Sequence, residues 1–169
     1  MSFFALKLSE MNLFALFRRT QNEVISGSVV DLKMTQVYEA NRSNHYVPSY
    51  FYDIYLHNTN KRVGYCDLRV GYNQELYYAG NIGYHVDPPY RGHHYAYEAC
   101  RMLFQVALDK GMDTVIITCS PDNPASRKTL ERLDGCYIET VAVPEDHWLY
   151  QRGETVKRIY RYDLNKPAL

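Results

Sequence analysis

Apolar positions in the second half of the chain repeat with the period of an α-helix. Between residues 95 and 110 small and apolar side chains recur every three or four positions. These positions are Ala96, Ala99, Cys100, Leu103, Val106 and Ala107. Such spacing puts them on one face of a helix, and Gly111 follows as the expected stop. The pattern therefore predicts a helix over residues 95–110.

The segments on either side of this helix read as strands. Residues 114–118 form a continuous apolar run, which is typical of a strand covered on both faces. Asn123 and Pro124 then predict a helix cap with proline in the first turn, and a helix to about residue 133. Residues 80–86 precede the first helix as a strand. A helix of this length usually joins two parallel strands, so we predict a parallel strand–helix–strand unit.

The rest of the chain is rich in strands. β-Branched and aromatic residues are concentrated in the first half over 29–38, 50–56, 62–70 and 76–86, and after the second helix over 137–143 and 155–162. Residues 71–75 suit an antiparallel hairpin loop. The segment 9–20 is predicted as a helix opened by Ser9. Together these elements predict one domain over 1–169 of mixed α and β class, with a mostly antiparallel sheet and flanking helices.

Charge and length exclude several classes of protein. The 169 residues carry 19 basic and 19 acidic side chains. A nucleic-acid binder normally has a basic excess, and so does a polybasic membrane-surface protein, so we expect neither nucleic acid nor membrane as a partner. The N-terminus has no secretory pattern. The four widely spaced cysteines lack the pairing of a zinc site and are interpreted as buried thiols. We expect a cytoplasmic protein without metal.

The loop before the 95–110 helix carries the clearest chemistry. Pro88 and Pro89 end the strand, and Gly92 lets the backbone turn. Backbone N–H groups at a helix start attract anions, and Arg91 adds a positive charge. The site predicted there has the size of a pyrophosphate.

These residues resemble a known family. The run Arg91-Gly92-His93-His94-Tyr95-Ala96 is similar to the R/Q-x-x-G-x-G/A signature of the GNAT (GCN5-related) N-acetyltransferase superfamily. The flanks agree, with residues 82–88 before it and 121–127 after the next strand. The resemblance covers residues 76–162 and is nearest to the ribosomal-protein N-terminal acetyltransferase-like branch.

The resemblance implies a GNAT-like fold and transfer of an acetyl group from acetyl-CoA to an amine. It implies that the backbone of Tyr84, His85 and Val86 faces the pantetheine arm and the thioester. Pyrophosphate would lie on Arg91, Gly92, His93, His94, Tyr95 and Ala96. Asn123 would reach the pantetheine, and Ser126 and Arg127 would flank the cofactor.

The chain departs from the family where protons are moved. The usual carboxylate would fall at Gly80 or Asn81, the alternative glutamate at Thr118 and the usual tyrosine at Leu130. None of these can act as an acid or base. His85 and Tyr150 are therefore the predicted catalytic residues, with His147 as a further candidate.

A second departure is His94, which stands where the family usually has glycine; a histidine fits there with a negative φ, and its ring can then donate to phosphate. Two other arrangements were weighed and are disfavoured: a metal site at His85, His93 and His94, and Cys119 as a nucleophile.

Two functions stay open at this point. The first is acetyl transfer to a protein N-terminus, a lysine or a small-molecule amine. The alternative is a non-catalytic acyl-CoA-binding module or sensor. Exposed sheet edges make a homodimer plausible.

Overall fold

The computed structural model describes residues 23–41 and 46–165, and they form two antiparallel sheets with three helices. The first sheet has the order β1-β2-β3-β4-β5 and the second has the order β6-β8-β7. The strands of the first sheet are β1 (Val24–Ser26), β2 (Val30–Tyr38), β3 (Ser49–Leu56), β4 (Arg62–Arg69) and β5 (Ile82–Val86). Those of the second are β6 (Thr114–Cys119), β7 (Cys136–Ala142) and β8 (Val156–Asp163).

Three helices connect and cover the strands. They are α1 (Gln74–Ala79), α2 (Tyr95–Asp109) and α3 (Pro124–Arg132). The apolar face of α2 is buried as its periodicity predicts, with Ala99, Cys100 and Leu103 fully covered. These side chains join one hydrophobic core with residues from both sheets. Burying a leucine of this kind contributes about 1.5–3 kcal/mol, so α2 holds the two sheets together.

Asn81, directly before β5, hydrogen-bonds the two sheets to each other. Its backbone N–H donates to the Ile116 carbonyl at 2.6 Å, and its Oδ1 accepts from the Ile116 N–H at 2.8 Å. Its Nδ2 donates to the carbonyls of Arg69 and Gly71. Asn81 thus fastens β5 to β6 at one end only.

The mixed α/β fold class with mostly antiparallel sheets is confirmed, and so are the helices over 95–110 and 124–133. One prediction needs correction. The strands at 80–86 and 114–119 are joined by a helix, but they do not pair along their length; they lie in different sheets. All ladders among the described residues are antiparallel.

The strand predicted over 76–86 is wrong in its first part. Residues Gln74–Ala79 form α1, and the strand begins only at Ile82. Asn73 caps this helix by accepting from the Leu76 N–H at 2.8 Å. The loop predicted at 71–75 therefore leads into a helix, because the Asn73 cap outweighs the aromatic residues that suggested a strand. The helix predicted over 9–20 lies outside the described residues.

Candidate active site

A cleft opens between β5 and β6 beyond Asn81. Because β5 pairs only with β4 and β6 only with β8 in the described ladders, their facing edges diverge. The cleft has a volume of about 620 Å³. It reaches from the ends of β6 and α3 to the outer face of β3 and β4. A cleft of this size can hold a ligand of cofactor dimensions.

Tyr84 and Ser126 brace one wall of the cleft. Their hydroxyl groups share a hydrogen bond of 2.8 Å between β5 and α3. Burial raises the pKa of the Tyr84 phenol, so it stays protonated at neutral pH. Both residues line the cleft, as the sequence predicts for a cofactor site.

Asn123 lies at the start of α3 beside the same cleft. Its Oδ1 accepts from the Ser126 N–H at 3.0 Å, which is the helix cap that the sequence predicts. Among the described residues its Nδ2 has no hydrogen bond, so this amide group is available to a ligand. Arg127 does not line the cleft; it lies 3.9 Å from Glu131 on the exposed side of α3.

The loop from β5 to α2, where the sequence predicts an anion site, lies at the other end of β5. Pro88–Tyr90 makes one turn of 3-10 helix, and the Arg91 Nε donates to the Val86 carbonyl at 3.0 Å. Gly92 has a φ of +86°, where glycine is favoured. The first N–H groups of α2 have no acceptor within the helix, so they are free to bind an anion.

His94 differs from expectation. Its φ is +62° and not negative, so this histidine adopts the left-handed backbone conformation that favours glycine. Its Nε2 accepts from the Arg132 Nη1 at 3.2 Å. The sequence analysis missed Arg132, whose guanidinium α3 brings beside this loop. His93 stacks on Tyr95 at 5.4 Å.

The positions of the family's usual acids and bases have structural roles here. A Cβ on Gly80 would lie 3.2 Å from the Ile116 carbonyl oxygen, and its φ is +78°. Asn81 joins the sheets as described above. The Thr118 hydroxyl donates to the Tyr78 carbonyl at 2.9 Å. Leu130 is fully buried in the core.

The two predicted catalytic residues lie apart from the cleft lining. His85 stacks on Tyr65 with ring centres 5.1 Å apart, and its Nε2 lies 3.5 Å from an Asp87 oxygen. Tyr150 belongs to a 3-10 turn, Tyr150–Arg152, from which Arg152 lines the cleft. Neither His85 nor Tyr150 is among the described lining residues. Their catalytic roles stay predictions.

His147 serves the structure. It is buried, its Nδ1 accepts from the Leu149 N–H at 3.1 Å, and its Nε2 lies 3.1 Å from a Glu75 carboxylate oxygen. Both ring nitrogens are therefore used to tie the loop before β8 to α1. The same loop brings Trp148 and Leu149 to the cleft.

Asp67 is a cleft residue that the sequence analysis missed. It lies on β4 opposite Gly83 of β5 and is only 6% exposed. The register between β4 and β5 brings Asp67 opposite Gly83, and no pattern local in the sequence indicates this pairing. Burial raises its pKa, although Arg69 acts in the opposite direction.

Two further properties concern the described residues, 23–41 and 46–165. They contain no group of three or more His, Cys, Asp or Glu side chains placed to hold a metal ion. None of their helices is long and apolar enough to cross a membrane.

Comparison with known proteins gives the family. The family model described as an acetyltransferase (GNAT) domain matches residues 11–135, more than half of the chain. A search of curated proteins finds no match.

Solved structures of acetyltransferases share the fold. The microcin C7 self-immunity acetyltransferase MccE, in complex with acetyl-CoA and AMP, is 19% identical with a TM-score of 0.54; the match covers 68% of this chain and 61% of that one. The ribosomal L7/L12 α-N-protein acetyltransferase RimL, in complex with coenzyme A, is 14% identical with a TM-score of 0.60, covering 83% and 98%. A GNAT acetyltransferase from Bacillus anthracis is 20% identical with a TM-score of 0.55, covering 69% and 67%.

The family match and the open β5–β6 cleft agree with each other. The loop that carries the signature resembling that of the GNAT superfamily follows β5. The chain therefore belongs to the GNAT acetyltransferase family, whose members transfer an acetyl group from acetyl-CoA to an amine.

Proposed function

We propose that acetyl-CoA lies in the cleft between β5 and β6, and that its pyrophosphate is held by residues 91–96. The observation that carries this placement is the divergence of the two strands beyond Asn81. It leaves the edge of β5 that faces β6 unpaired at Tyr84 and His85, where the backbone can hydrogen-bond the pantetheine arm and the thioester carbonyl, whereas the Val86 carbonyl accepts from the Arg91 Nε.

Several side chains support the same placement. The guanidinium of Arg91 is fixed at the end of β5, and Arg132 is held beside His94. Two guanidinium groups near the N-terminus of α2 favour the binding of a doubly negative group such as pyrophosphate. At the other end of the cleft, the Asn123 amide and the Ser126 hydroxyl are placed to bind the polar pantetheine arm.

We propose that the acceptor reaches the thioester from the outer face of the first sheet. The cleft continues onto that face past Tyr65, and the loop before β8 overhangs it with Trp148 and Arg152. An acceptor that carries its amine on a flexible chain fits this approach. A protein N-terminus, a lysine side chain and a small-molecule amine all have this chemistry.

The alternative is a non-catalytic module that binds acyl-CoA as a sensor or structural ligand. The structural roles of Asn81, Thr118 and Leu130 favour it, because none of these side chains can move a proton. We favour the enzyme because losing a general base lowers a rate by only about 10²–10⁴-fold, and another side chain can take that role.

Calorimetry tests the cofactor site. We expect Arg91→Ala to weaken CoA binding by about 1–3 kcal/mol, because a charged hydrogen-bond donor is lost. Arg101→Ala is the matched control, since Arg101 is an exposed arginine of the same helical region that lies 3.9 Å from Glu98. Equal CoA affinity in the two variants would contradict the placement of pyrophosphate at residues 91–96.

Thiol release from acetyl-CoA separates the enzyme from the module. The panel should contain peptides with a free N-terminus, N-blocked peptides with lysine, and polyamines, between pH 6 and 9. The enzyme releases CoA thiol faster with at least one amine than the buffer background does. Tight CoA binding without any such acceleration would establish the module.

We further propose a cytoplasmic protein that acts as a homodimer through a sheet edge. β7 is an edge strand with Tyr137 and Ile138 exposed, which supports this arrangement. A monomeric mass by light scattering would contradict the dimer.

A further inference from the structure

We infer that Asp67 is the general base of the acetyl transfer, receiving the proton of the acceptor amine in the cleft. The inference rests on the proposed function. It assigns the proton-accepting role to β4, next to the strand on which the family's carboxylate is expected.

Asp67 is a buried carboxylate with one oxygen, Oδ2, that accepts no hydrogen bond from the described residues. Its side chain is 8% exposed. Its Oδ2 lies 2.9 Å from the Arg69 Nη2, but no donor among the described residues makes a hydrogen bond to it with suitable geometry. Buried carboxylates are normally satisfied by several donors. This one has acceptor capacity left over inside a ligand-sized cleft, and an ammonium group is the donor that would fill it.

The absence of a side chain at Gly83 places the carboxylate over β5. Asp67 pairs with Gly83 across the two strands, and its Oδ1 lies 2.5 Å from where a Cβ on Gly83 would be. The Asp67 carboxylate thus fills the space that a side chain at position 83 of β5 would occupy. This position directly precedes Tyr84. The carboxylate reaches the outer face of the strand whose backbone is proposed to bind the thioester.

Arg69 orients the carboxylate and is itself held in place. Its Nη1 donates to the carbonyls of Ala79 and Gly80, at 3.2 and 2.9 Å. Its Nη2 keeps the ion pair with Asp67. Arg69 is therefore a positioning residue, anchored to the turn that leads into β5.

Asp67 has an ion-pair partner in Arg69, as the other two carboxylates of this cleft have partners, but its Oδ2 accepts no hydrogen bond from the described residues. Asp53 is paired with Arg62 at 2.7 Å, and Glu154 is paired with Lys157. The charged side chains around Asp67 in the cleft are Asp53, Arg62, Arg69, Arg152, Glu154 and Lys157. Burial also raises the pKa of Asp67, which makes its carboxylate a stronger base than an exposed aspartate.

The proton balance of the step is complete. The acceptor enters as an ammonium ion and gives one proton to an Asp67 oxygen. The free amine then forms a bond from nitrogen to the thioester carbon, and the carbon–sulfur bond breaks. The second nitrogen proton ends on the CoA sulfur, and Asp67 returns its proton to water.

The test compares two buried aspartates of the same sheet. Asp67→Asn should lower kcat about 10²–10⁴-fold, the range for a lost general base, while the calorimetric affinity for CoA stays at the wild-type value. Asp31→Asn is the matched control, because Asp31 is 7% exposed but lies outside the cleft. It should keep wild-type turnover at a temperature where it is folded.

A second variant retains Asp67 but displaces its carboxylate. Gly83→Ala introduces a Cβ into the position that lies 2.5 Å from the Asp67 oxygen, so the carboxylate must shift. We expect it to lower kcat in the same direction as Asp67→Asn, with CoA affinity kept.

The pH profile distinguishes a base from a residue that only shapes the cleft. Without the base only the free amine reacts, so the deficit of Asp67→Asn should shrink as the pH approaches the acceptor's pKa, about 8 for an α-amino group and about 10 for lysine. A deficit that is constant with pH would overturn the assignment.

The outcomes separate this inference from the proposed function. If the wild type accelerates thiol release and the kcat of Asp67→Asn lies within threefold of the wild-type kcat, the chain is an enzyme but Asp67 is not its base. If His85→Ala removes turnover and Asp67→Asn does not, the proton leaves through His85. If the wild type turns over none of the amines, the proposed function fails and the role of Asp67 fails with it.

Discussion

Two corners of the first sheet each bury one aspartate, and they treat it in opposite ways. At the β1–β2 corner the Asp31 carboxylate lies 2.9 Å from the His57 Nδ1 and accepts from the Ser26 hydroxyl at 2.8 Å. The backbone N–H groups of Gly27 and Asn58 also donate to it. At the cleft, the Asp67 Oδ2 is ion-paired with Arg69 but accepts no hydrogen bond from the described residues.

The pKa values of the two carboxyl groups follow these surroundings. Burial alone would raise both. For Asp31 the hydrogen bonds from His57, Ser26 and the two backbone groups outweigh burial and lower the pKa to about 2. For Asp67 burial dominates and the pKa is raised. A satisfied buried carboxylate holds a fold together, whereas an unsatisfied one is kept at a cost in stability, which points to a role in chemistry.

The largest effect is expected from Asn81, a buried polar side chain whose amide nitrogen and oxygen are both hydrogen-bonded. Asn81→Leu would leave the Ile116 N–H and the carbonyls of Arg69 and Gly71 without partners. At about 1–3 kcal/mol for each of these three groups left unpaired, the free energy of unfolding should fall by about 3–9 kcal/mol. Urea denaturation measures the loss. The exposed Asn60→Leu is the control, and a loss below that range would show that the sheets are held together elsewhere.

A smaller effect is expected from Asp31→Asn. Because the folded pKa of about 2 lies below the ordinary value of 3.8, the carboxylate stabilises the fold fully above pH 4 and loses this effect as the pH falls towards 2. The substitution should lower the free energy of unfolding by about 2 kcal/mol at pH 7. The difference should disappear near pH 2. Urea denaturation at a series of pH values measures it, and a difference independent of pH would contradict the role of the charge.

The smallest effect, and one of opposite sign, is expected from Asp67→Asn. A carboxyl group with a raised folded pKa opposes folding at pH values above that pKa. Removing its charge should therefore leave the unfolding free energy at pH 7 no lower than in the wild type, even though turnover falls. Chemical denaturation checks this. A clear loss of stability would make Asp67 a structural partner of Arg69.

Local patterns were enough to predict the part of the molecule around α2. Residues close together in sequence are enough to predict three features: the periodicity of α2, the apolar run of β6 and the Asn123 cap. The anion-binding loop is also a continuous segment. These features depend on contacts within a few residues, so the sequence predicts them without knowledge of the sheet order.

The outer face of the cleft could not be predicted in this way. Asp67 and Gly83 are brought together by the register of β4 and β5, and Trp148 arrives on a loop from the other sheet. α1 was mistaken for a strand because its two tyrosines, Tyr77 and Tyr78, favour strands, while its Asn73 cap is a single residue. The positive φ of His94 could not be predicted either, because it depends on contacts between residues far apart in sequence. One of these is the contact with Arg132 on α3.

The bond from Ile116 to Asn81 gives the molecule a built-in reporter. The Ile116 amide hydrogen, although it belongs to β6, is held by a side chain from the segment leading into the first sheet. The rate at which this hydrogen exchanges with deuterium therefore reports how often the two sheets separate. The exchange rates of amides in the middle of each sheet report the unfolding of that sheet. Acetyl-CoA bound across the divergence would slow the exchange at Ile116 without contacting the residue. A single amide signal in a spectrum would then show whether the two halves of the protein move apart during each cycle of cofactor entry and release.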